Sequence, residues 1–303
     1  MIENITLSNG VRMPLEGFGV FQIPDPEVCR QTVYDAISAG YRLIDTAALY
    51  YNEKAVGEGV RQAIADGLVK REDLFIVTKL WCQDFSYEGA KKGIETSLSE
   101  LQMDYVDGYL LHQPYGDVYG AWKAVEEAYE AGKFRAIGVA NFSMCKMAEF
   151  CTLVNVKPMI DQIELNPFFT QTGPVEYMRQ FGCVPMAWAP LAEGKNGIFT
   201  HPVLSKIGEK YGKSAAQTAL RWNTQRGVII IPKSVHKERM EQNIDIWDFT
   251  LTDEEMRQVE SLDLGVSQCA DHTDPNVVGF LTGLTIKDWA AINEQMARAA
   301  GTD

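Results

Sequence analysis

Four side chains of different chemical type follow three neighbouring apolar stretches of the sequence. Asp45 and Tyr50 lie in the motif DTAALYYNE, Lys79 ends the run FIVTK, and His112 ends the run VDGYLLH. A carboxylate, a phenol, an ammonium and an imidazole together can deliver a proton to an oxygen on which negative charge develops. They suit the reduction of a carbonyl group, with a hydride reaching the carbonyl carbon from the other side.

Each of the four has a predicted part in that chemistry. Tyr50 is the proton donor, and Lys79 is expected to lower the tyrosine pKa from about 10 toward neutrality by stabilising the phenolate. Asp45 pairs with Lys79, because a buried ammonium is costly without a carboxylate partner. His112 orients the carbonyl oxygen. For DTAALYYNE taken alone, a buried structural Asp45 and a surface Tyr50 are an equally good interpretation.

Short apolar runs alternate with longer amphipathic segments along the chain, and this alternation must position the four residues. Eight such pairs predict a (β/α)8 TIM barrel, an α/β fold with a closed parallel sheet. Asn9 and Gly10 predict a turn in an N-terminal β-hairpin. From about Gly265 the periodicity fades, which predicts an irregular C-terminal tail with a final helix over 287–300. The eight runs are GFGV (17–20), RLIDT (42–46), FIVTK (75–79), VDGYLLH (106–112), AIGVAN (136–141), MIDQI (159–163), VPMAW (184–188) and VIIIPK (228–233).

Polar or aromatic residues stand at the carboxyl ends of seven of these runs. In a closed barrel the carboxyl ends meet at one rim, where residues from different strands can form a site. In an open doubly wound sheet they would spread along a line. Strands also end in polar residues simply because the loops that follow them are exposed to solvent. Exposure alone, however, explains the chemical variety of the set poorly. The seven residues are Asp45, Lys79, His112, Asn141, Gln162, Trp188 and Lys233.

The composition excludes several classes of protein. A hydrophobic fraction of 46% with 23% charged residues predicts a globular chain with a large core, and one domain over residues 1–303 is consistent with a barrel. A net charge of −13 opposes binding to nucleic acids and anionic membranes. The N-terminus lacks a basic, apolar leader, and no stretch is long enough to span a bilayer.

Cysteine and histidine usage points to a reducing compartment and to no bound metal. The six cysteines show no CxxC spacing, and the four histidines lie far apart with no HExxH motif. We therefore expect reduced thiols and a cytoplasmic protein. No coiled-coil pattern or exposed apolar stripe is evident, which predicts a monomer.

Two segments come close to nucleotide-binding motifs but fail. GFGVFQ (17–22) lacks the third glycine of a dinucleotide fingerprint and runs into prolines instead of a helix. GEKYGKS (208–214) has too few residues between its glycines for a phosphate loop and follows a helical segment. Any bound nucleotide must therefore be held by residues outside these two motifs.

The order of several motifs resembles the aldo-keto reductase superfamily, in particular its bacterial branch of diketo-gluconate reductase type enzymes. The resemblance covers roughly residues 5–280 and implies an eight-stranded barrel that binds NADPH without a Rossmann domain. It places the family's catalytic tetrad on Asp45, Tyr50, Lys79 and His112, with Tyr50 as general acid. The motifs are DTAALYYNE, TKLW (78–81), LLHQP (110–114), GVANF (138–142), DQIELNP (161–167), MAWAPLAEG (186–194) and IPKSVHKERMEQN (231–243).

The resemblance also implies which residues bind the cofactor. In an otherwise acidic chain, Lys233, Ser234 and Arg239 are expected to hold the 2′-phosphate of NADPH, and Arg239 favours NADPH over NADH. A solvated start of a helix is the alternative interpretation of this basic segment. Asn243 is expected at the adenine, four residues after Arg239 on one helical face.

The nicotinamide end of the cofactor is assigned to a second group of residues. Asn141 and Gln162 are expected to contact the carboxamide, and Trp188 stands where the family usually stacks a tyrosine on the ring. The remaining predicted cofactor contacts are Val20, Phe21 and Leu191. The substrate pocket is expected to be walled by Phe21, Tyr50, Trp81 and His112, together with residues of the C-terminal tail.

Three functions are compatible with these features. The first is an NADPH-dependent reductase of aldehydes, ketones or keto sugars, which a complete tetrad favours. The second is a non-catalytic nucleotide-binding regulatory barrel, which an intact tetrad argues against. The third is a TIM-barrel hydrolase with Asp45 and another carboxylate as acid and base, which gives Lys79, His112 and the basic segment no role.

Overall fold

Ten strands and twelve α-helices follow one another along residues 2–300, the part of the chain that the computed structural model describes, with side chains described through residue 295. The strands are β1 (Asn4–Thr6), β2 (Arg12–Pro14), β3 (Phe18–Gly19), β4 (Leu43–Asp45), β5 (Phe75–Leu80), β6 (Val106–Leu111), β7 (Phe134–Ala140), β8 (Ile160–Glu164), β9 (Val184–Trp188) and β10 (Ile229–Ile230). The helices are α1 (Pro26–Ala39), α2 (Glu53–Ala65), α3 (Tyr87–Leu101), α4 (Val118–Glu130), α5 (Met144–Leu153), α6 (Thr172–Arg179), α7 (Pro202–Glu209), α8 (Ala215–Gln225), α9 (Lys237–Ile244), α10 (Asp253–Glu260), α11 (Pro275–Gly283) and α12 (Ile286–Ala300).

Strands β3 to β10 form one parallel sheet in sequential order, as predicted from the eight apolar runs. The first and last strands meet, because the amide of Gly17 donates to the carbonyl of Ile230 at 2.8 Å and the amide of Ile230 donates to Leu15 at 2.9 Å. The sheet is thus closed into a barrel surrounded by helices. Its strands are buried on both faces, which explains why they appear as continuous apolar runs in the sequence.

A buried carboxyl group lies beside this closure. Glu16 is 0% exposed and forms an isolated parallel bridge with Ile230. The Trp247 indole Nε1 donates a hydrogen bond to Glu16 Oε2 at 2.8 Å, and Oε1 has no hydrogen-bond partner among the described residues.

Several helices begin and end where the sequence supplies caps. At α1, Asp25 accepts hydrogen bonds from the amides of Glu27 and Val28, Pro26 occupies the first turn, and Gly40 ends the helix with φ of 111°. Such local signals fix where these helices start and stop. The loops between the strands and the helices then lie at the carboxyl ends of the strands.

The predicted N-terminal hairpin is confirmed as β1 paired antiparallel with β2. Gly10 adopts φ of 85° in the turn, and Asn9 Nδ2 donates to the carbonyl of Arg135 at 2.9 Å. Arg135 lies at the start of β7, so the hairpin covers the end of the barrel opposite the carboxyl ends of the strands.

The C-terminal segment is more regular than we expected. Residues 275–283, predicted as part of an irregular tail, form α11, with Asp274 accepting from the amide of Asn276 at 2.8 Å. None of the α11 residues is buried, and Gly279 and Gly283 lie within the helix, so the sequence gives only a weak helical signal there. The final helix, α12, begins at Ile286, one residue before its predicted start.

Hydrogen bonds hold this segment over the carboxyl ends of the strands. Trp81 Nε1, after β5, donates to the carbonyl of Leu284 at 2.8 Å, and the Tyr115 hydroxyl, after β6, donates to the carbonyl of His272 at 2.8 Å. Among residues 2–300, no helix is both long and apolar enough to cross a lipid bilayer.

Candidate active site

The structure brings all four predicted catalytic residues together at the carboxyl ends of β4, β5 and β6. Lys79 is fully buried, and its Nζ donates to Asp45 Oδ1 at 2.7 Å and to the carbonyl of Thr46 at 2.8 Å. The same Nζ lies 3.4 Å from the Tyr50 hydroxyl. Gln162 Nε2 donates to the other Asp45 oxygen at 2.8 Å, so both oxygens of the carboxylate are engaged.

Tyr50 is held by a short turn between β4 and α2. It ends a 3₁₀ helix over Ala48–Tyr50, and the next residue, Tyr51, has φ of 58° and is 68% exposed. Asn52 anchors the turn, because its Nδ2 donates to the carbonyl of Val20 at 2.9 Å and its Oδ1 accepts from the Thr46 hydroxyl at 2.9 Å. The sequence analysis missed this anchoring residue, although it lies within the motif.

A buried carboxyl group ties the start of α2 to β5 behind this turn. Glu53 Oε1 accepts from the Thr78 hydroxyl at 2.5 Å, and Oε2 accepts from the Ser97 hydroxyl at 3.3 Å. Burial raises the pKa of Glu53 to about 7. Thr78 precedes Lys79, so this contact joins the segment that carries Tyr50 to the strand that carries Lys79.

Burial changes the acidity of the tyrosine in the direction opposite to our expectation. Burial, and then the charge of Asp45, raise the pKa of Tyr50 well above 10. Burial also lowers the pKa of Lys79, which the contact with Asp45 opposes, and it raises the pKa of Asp45, which Lys79 opposes. The net pKa shift of Tyr50 is therefore opposite to the one we predicted, because burial outweighs the stabilisation of the phenolate by Lys79, whose charge the Asp45 carboxylate at 2.7 Å partly offsets. Tyr50 therefore remains a neutral phenol that can donate a proton.

His112 completes the group from the end of β6. Its ring meets the Tyr50 ring edge-on at 5.6 Å between centroids and the Trp81 ring at 5.2 Å. Burial, reinforced by the charge of Lys79, lowers the pKa of His112 well below 6.5. The imidazole is neutral, and Nδ1 is buried with no partner among the described residues. A neutral imidazole can donate one hydrogen bond to an oxygen without itself supplying the proton.

The four residues border a cavity of about 800 Å³ at the rim of the barrel, with all but Lys79 in its lining. Of the predicted site residues, the cavity wall includes Phe21, Trp81, Asn141, Gln162, Trp188, Leu191 and Lys233. Val20 lies outside this wall: it is fully buried, its amide donates to the carbonyl of Asp45 at 3.2 Å, and its carbonyl accepts from Asn52.

Asn141 and Trp188 are fixed to one another in the cavity wall. The Trp188 Nε1 donates to Asn141 Oδ1 at 2.8 Å, while Asn141 Nδ2 donates to the backbone carbonyl of His112 at 3.1 Å. Both ends of the Asn141 amide are thus used within the protein. The Asn141 side chain therefore fixes the position of the Trp188 indole relative to the backbone of His112.

The basic segment lies around the start of α9, and of its predicted contacts Lys233 belongs to the cavity wall, whereas Ser234, Arg239 and Asn243 lie outside it. Lys233 lines the cavity, and Arg239 is exposed and forms no ion pair with any described residue. The amide of His236 donates to Ser234 Oγ at 3.0 Å, and Asn243 is buried one helical turn after Arg239. These residues offer cationic and hydroxyl donors that the protein leaves without a carboxylate partner.

Several lining residues were not identified from the sequence. Gln113 is 4% exposed and follows His112 directly, so its neighbour in the motif LLHQP was the available signal. Nine of the others come from the C-terminal tail, which was expected to contribute to the pocket but has no motif that singles out its residues: Cys269, Ala270, His272, Asn276, Val277, Phe280, Leu281, Leu284 and Trp289.

Comparison with known proteins gives one consistent result. The family model described as "Aldo/keto reductase family" matches residues 17–264. The chain is 42% identical to a glyoxal reductase of Bacillus subtilis, over 86% of this chain and 92% of that protein. It is also 42% identical to a morphine 6-dehydrogenase of Pseudomonas putida, over 91% of this chain and 96% of the relative. The crystal structure of a Bombyx mori aldo-keto reductase in complex with NADP superposes with a TM-score of 0.86 at 34% identity, over 92% and 97% of the two chains.

Proposed function

This chain belongs to the aldo/keto reductase family, and we propose that it is an NADPH-dependent oxidoreductase that reduces carbonyl compounds to alcohols with Tyr50 as the proton donor. The observation that carries the proposal is the 3.4 Å approach of Lys79 Nζ to the Tyr50 hydroxyl beside a neutral His112, at the edge of an open cavity. Among the described residues, this cluster combines an acid, a cation and an orienting donor at one point.

The residues divide the work as follows. Tyr50 and His112 each donate a hydrogen bond to the carbonyl oxygen of the substrate. Together these two hydrogen bonds stabilise the negative charge that develops on the oxygen. Tyr50 then delivers its proton to that oxygen. The adjacent Lys79 ammonium stabilises the phenolate that remains, and Asp45 keeps the ammonium charged and in place. A raised Tyr50 pKa in the free protein fits this role, because the phenol stays protonated until the oxygen needs the proton.

The residues at the basic end fit a phosphorylated dinucleotide. Lys233 and Arg239 are cations without a carboxylate partner among the described residues, and Trp188 offers an aromatic face held by Asn141. We propose that Lys233, Ser234 and Arg239 hold the 2′-phosphate, that Asn243 contacts the adenine, and that Trp188 stacks on the nicotinamide. When bound, NADPH supplies the hydride that reaches the carbonyl carbon.

The catalytic proposal is tested by following NADPH absorbance with a set of aldehydes and ketones. Tyr50→Phe is expected to lower kcat by about 100-fold or more, because it removes only the acidic hydroxyl. Tyr51→Phe is the matched control, since the neighbouring tyrosine points to solvent, and it should retain wild-type turnover. Wild-type turnover in Tyr50→Phe would remove the residue from its proposed role.

The cofactor proposal is tested by comparing NADPH with NADH. Arg239→Ala is expected to raise the KM for NADPH by about tenfold or more, with a much smaller effect on NADH, because a charged hydrogen bond to the 2′-phosphate is lost. Arg12→Ala, an exposed arginine of the hairpin at the opposite end of the barrel, serves as the control. Equal losses for NADPH and NADH in Arg239→Ala would refute a contact with the phosphate.

We also propose that residues 1–303 form one domain, that the protein is a monomer, and that it is cytoplasmic. All six cysteines are free, which supports a reducing compartment. A single cooperative unfolding transition, a mass of about 34 kDa by light scattering and recovery of tagged protein in the cytosolic fraction are expected. Two separate unfolding transitions would contradict the single domain, and a dimer mass would contradict the monomer. Recovery in the membrane fraction would contradict the cytoplasmic location.

A further inference from the structure

Strand β5 presents consecutive side chains to the two faces of the barrel wall. Lys79 faces the interior, where its Nζ donates to Asp45 Oδ1 at 2.7 Å and lies 3.4 Å from the Tyr50 hydroxyl. Thr78 faces the surrounding helices, because neighbouring side chains of a strand point to opposite faces of the sheet. Its hydroxyl donates to Oε1 of Glu53, the first residue of α2, at 2.5 Å. This hydrogen bond lies on the outer face of the strand whose inner face carries the Lys79 ammonium.

The turn that carries Tyr50 is attached to the barrel by two consecutive side chains. Asn52 joins it to the ends of β3 and β4, where it binds the carbonyl of Val20 and the hydroxyl of Thr46. Glu53 joins the same segment to β5. The separation between the ammonium on β5 and the phenol of the turn therefore depends on the Glu53 attachment.

Glu53 is a buried carboxyl group that takes part in no ion pair. It is 6% exposed, and none of the salt bridges among the described residues includes it. On α3, the Ser97 hydroxyl donates to Oε2 at 3.3 Å, and Glu100 adds a second negative charge nearby. On β6, Tyr109 is paired with Thr78 in the strand register, and burial, followed by the charge of Glu53, raises the pKa of this phenol well above 10. Two hydroxyl donors thus hold the carboxyl group, one on β5 and one on α3.

Lys79 is the cation on which the charge of Glu53 acts across the strand. Burial raises the pKa of Glu53 to about 7, so the group is ionised at alkaline pH. Burial lowers the pKa of Lys79, whereas the charges of Asp45 and of Glu53 oppose that decrease. A nearby negative charge favours the protonated form of a lysine. Ionised Glu53 therefore helps Lys79 to remain an ammonium ion as the pH rises.

We propose that Glu53 is a positioning residue of the reduction, which through Thr78 holds the Lys79 ammonium next to the Tyr50 hydroxyl and by its charge stabilises that ammonium. The inference rests on the proposed function, since it concerns proton donation by Tyr50. Glu53 does not line the cavity, so it acts through these residues and not on the substrate. A carboxyl group that only held α2 on the barrel would affect the free energy of unfolding and leave the turnover of the folded enzyme unchanged.

The positional contribution is tested by removing, one at a time, the two hydroxyl groups that donate to Glu53. Thr78→Val is expected to lower kcat for carbonyl reduction by about tenfold, and Ser97→Ala, the matched control on α3, by less than about twofold, because only the first loss displaces the strand of Lys79. Thr78→Ser restores the hydroxyl and should recover most of the activity. Circular dichroism checks folding, and titration of NADPH fluorescence should give the same Kd for every variant. Equal kcat values in folded Thr78→Val and Ser97→Ala would overturn the inference.

The contribution of the charge is tested by the pH dependence of kcat. Glu53→Gln keeps an acceptor for the Thr78 hydroxyl but carries no charge. The decrease of kcat at alkaline pH, where Lys79 loses its proton, is expected to begin at a lower pH in Glu53→Gln than in wild type. Thr78→Val keeps the carboxylate and should keep the wild-type midpoint of that decrease. The same midpoint in Glu53→Gln and wild type would show that the carboxylate does not stabilise the ammonium.

The two proposals fail in different ways in these experiments. Wild-type protein that oxidises NADPH with none of the aldehydes and ketones would refute the proposed function, and the role of Glu53 with it. An active wild type whose Thr78→Val and Glu53→Gln variants retain the wild-type kcat and pH profile would refute the role of Glu53 alone.

Discussion

The buried carboxyl group of Glu16 gives a prediction whose size follows from the structure. The side chain is fully buried beside the closure of the barrel, and its one hydrogen bond comes from Trp247 Nε1 at 2.8 Å. Burial raises the pKa of Glu16 from the ordinary value of 4.5 to about 8. The folded protein therefore carries this group protonated at neutral pH, whereas the unfolded chain carries it ionised.

The sign of the pH dependence follows from the bound proton. Between pH 4.5 and 8 the folded state holds more protons at Glu16 than the unfolded state, so the free energy of unfolding falls as the pH rises. At about 1.4 kcal/mol per pH unit, the group costs about 3 kcal/mol of stability at pH 7 relative to acid pH. Below pH 4.5 this cost is absent, and above pH 8 it is complete.

Replacing Glu16 by glutamine removes the titration and keeps an acceptor for Trp247. The glutamine amide adds a buried donor, but that cost does not depend on pH. We therefore expect the difference in Tm between Glu16→Gln and wild type to increase in favour of the variant as the pH rises from 5 to 7.5, by an amount of the order of 5 °C. Differential scanning calorimetry at several pH values measures it.

The control is Glu209→Gln, which changes an exposed carboxylate of α7. Its Tm difference from wild type should be small and nearly the same at each pH. If the Tm difference of Glu16→Gln were equally independent of pH, the carboxyl group would not be held protonated by burial, and the reasoning from desolvation would be wrong.

Three further predictions concern the site. Asn52→Ala should lower the free energy of unfolding by about 2 kcal/mol in denaturant titrations, because the Thr46 hydroxyl loses its partner, and should lower kcat by loosening the turn that carries Tyr50. Asn155→Ala, at an exposed position two residues after the end of α5, should leave both quantities nearly unchanged. Trp81→Phe should lower the free energy of unfolding by about 1 kcal/mol and increase the rate of proteolysis after residue 264, because the hydrogen bond from the indole to the carbonyl of Leu284 is lost. An unchanged cleavage rate would contradict the conclusion that this hydrogen bond holds the C-terminal segment in place. Because the pKa of His112 is lowered and that of Tyr50 is raised, neither group should give an inflection in kcat/KM for reduction between pH 6.5 and about 9. An inflection near neutrality that persists in Glu53→Gln, which removes the buried carboxyl group of pKa about 7, would show that His112 or Tyr50 titrates there.

The barrel could be predicted from the sequence because each strand is a short apolar run followed by an amphipathic segment with helical spacing. The same regularity placed Asp45, Lys79 and His112 at one rim, since the carboxyl ends of parallel strands meet there. Tyr50 could be added because it follows Asp45 within one turn. These inferences needed only the period of the pattern and the topology of a closed sheet.

Other features depended on distances that a sequence does not contain. The Tyr50 pKa was predicted in the wrong direction, because the 2.7 Å contact of Asp45 with Lys79 and the full burial of the site decide it. The hydrogen bonds from the Trp188 indole to Asn141 and from Asn141 to the backbone of His112 could not be inferred from the sequence, and the contact of Asn141 with the nicotinamide carboxamide stays a prediction. The helix α11 was missed because Gly279 and Gly283 lie within it, and glycine is a poor helix former.

The position of α12 also decides how this protein should be handled in the laboratory. Trp289 of this helix lines the cavity, so an affinity tag attached after α12 is joined to an element of the cavity wall. A tag at the N-terminus would extend from the hairpin at the opposite end of the barrel. Substrate profiles measured with the two kinds of fusion should therefore not be pooled, and exchange of residues 265–303 between relatives offers a way to redirect the enzyme without altering the sheet.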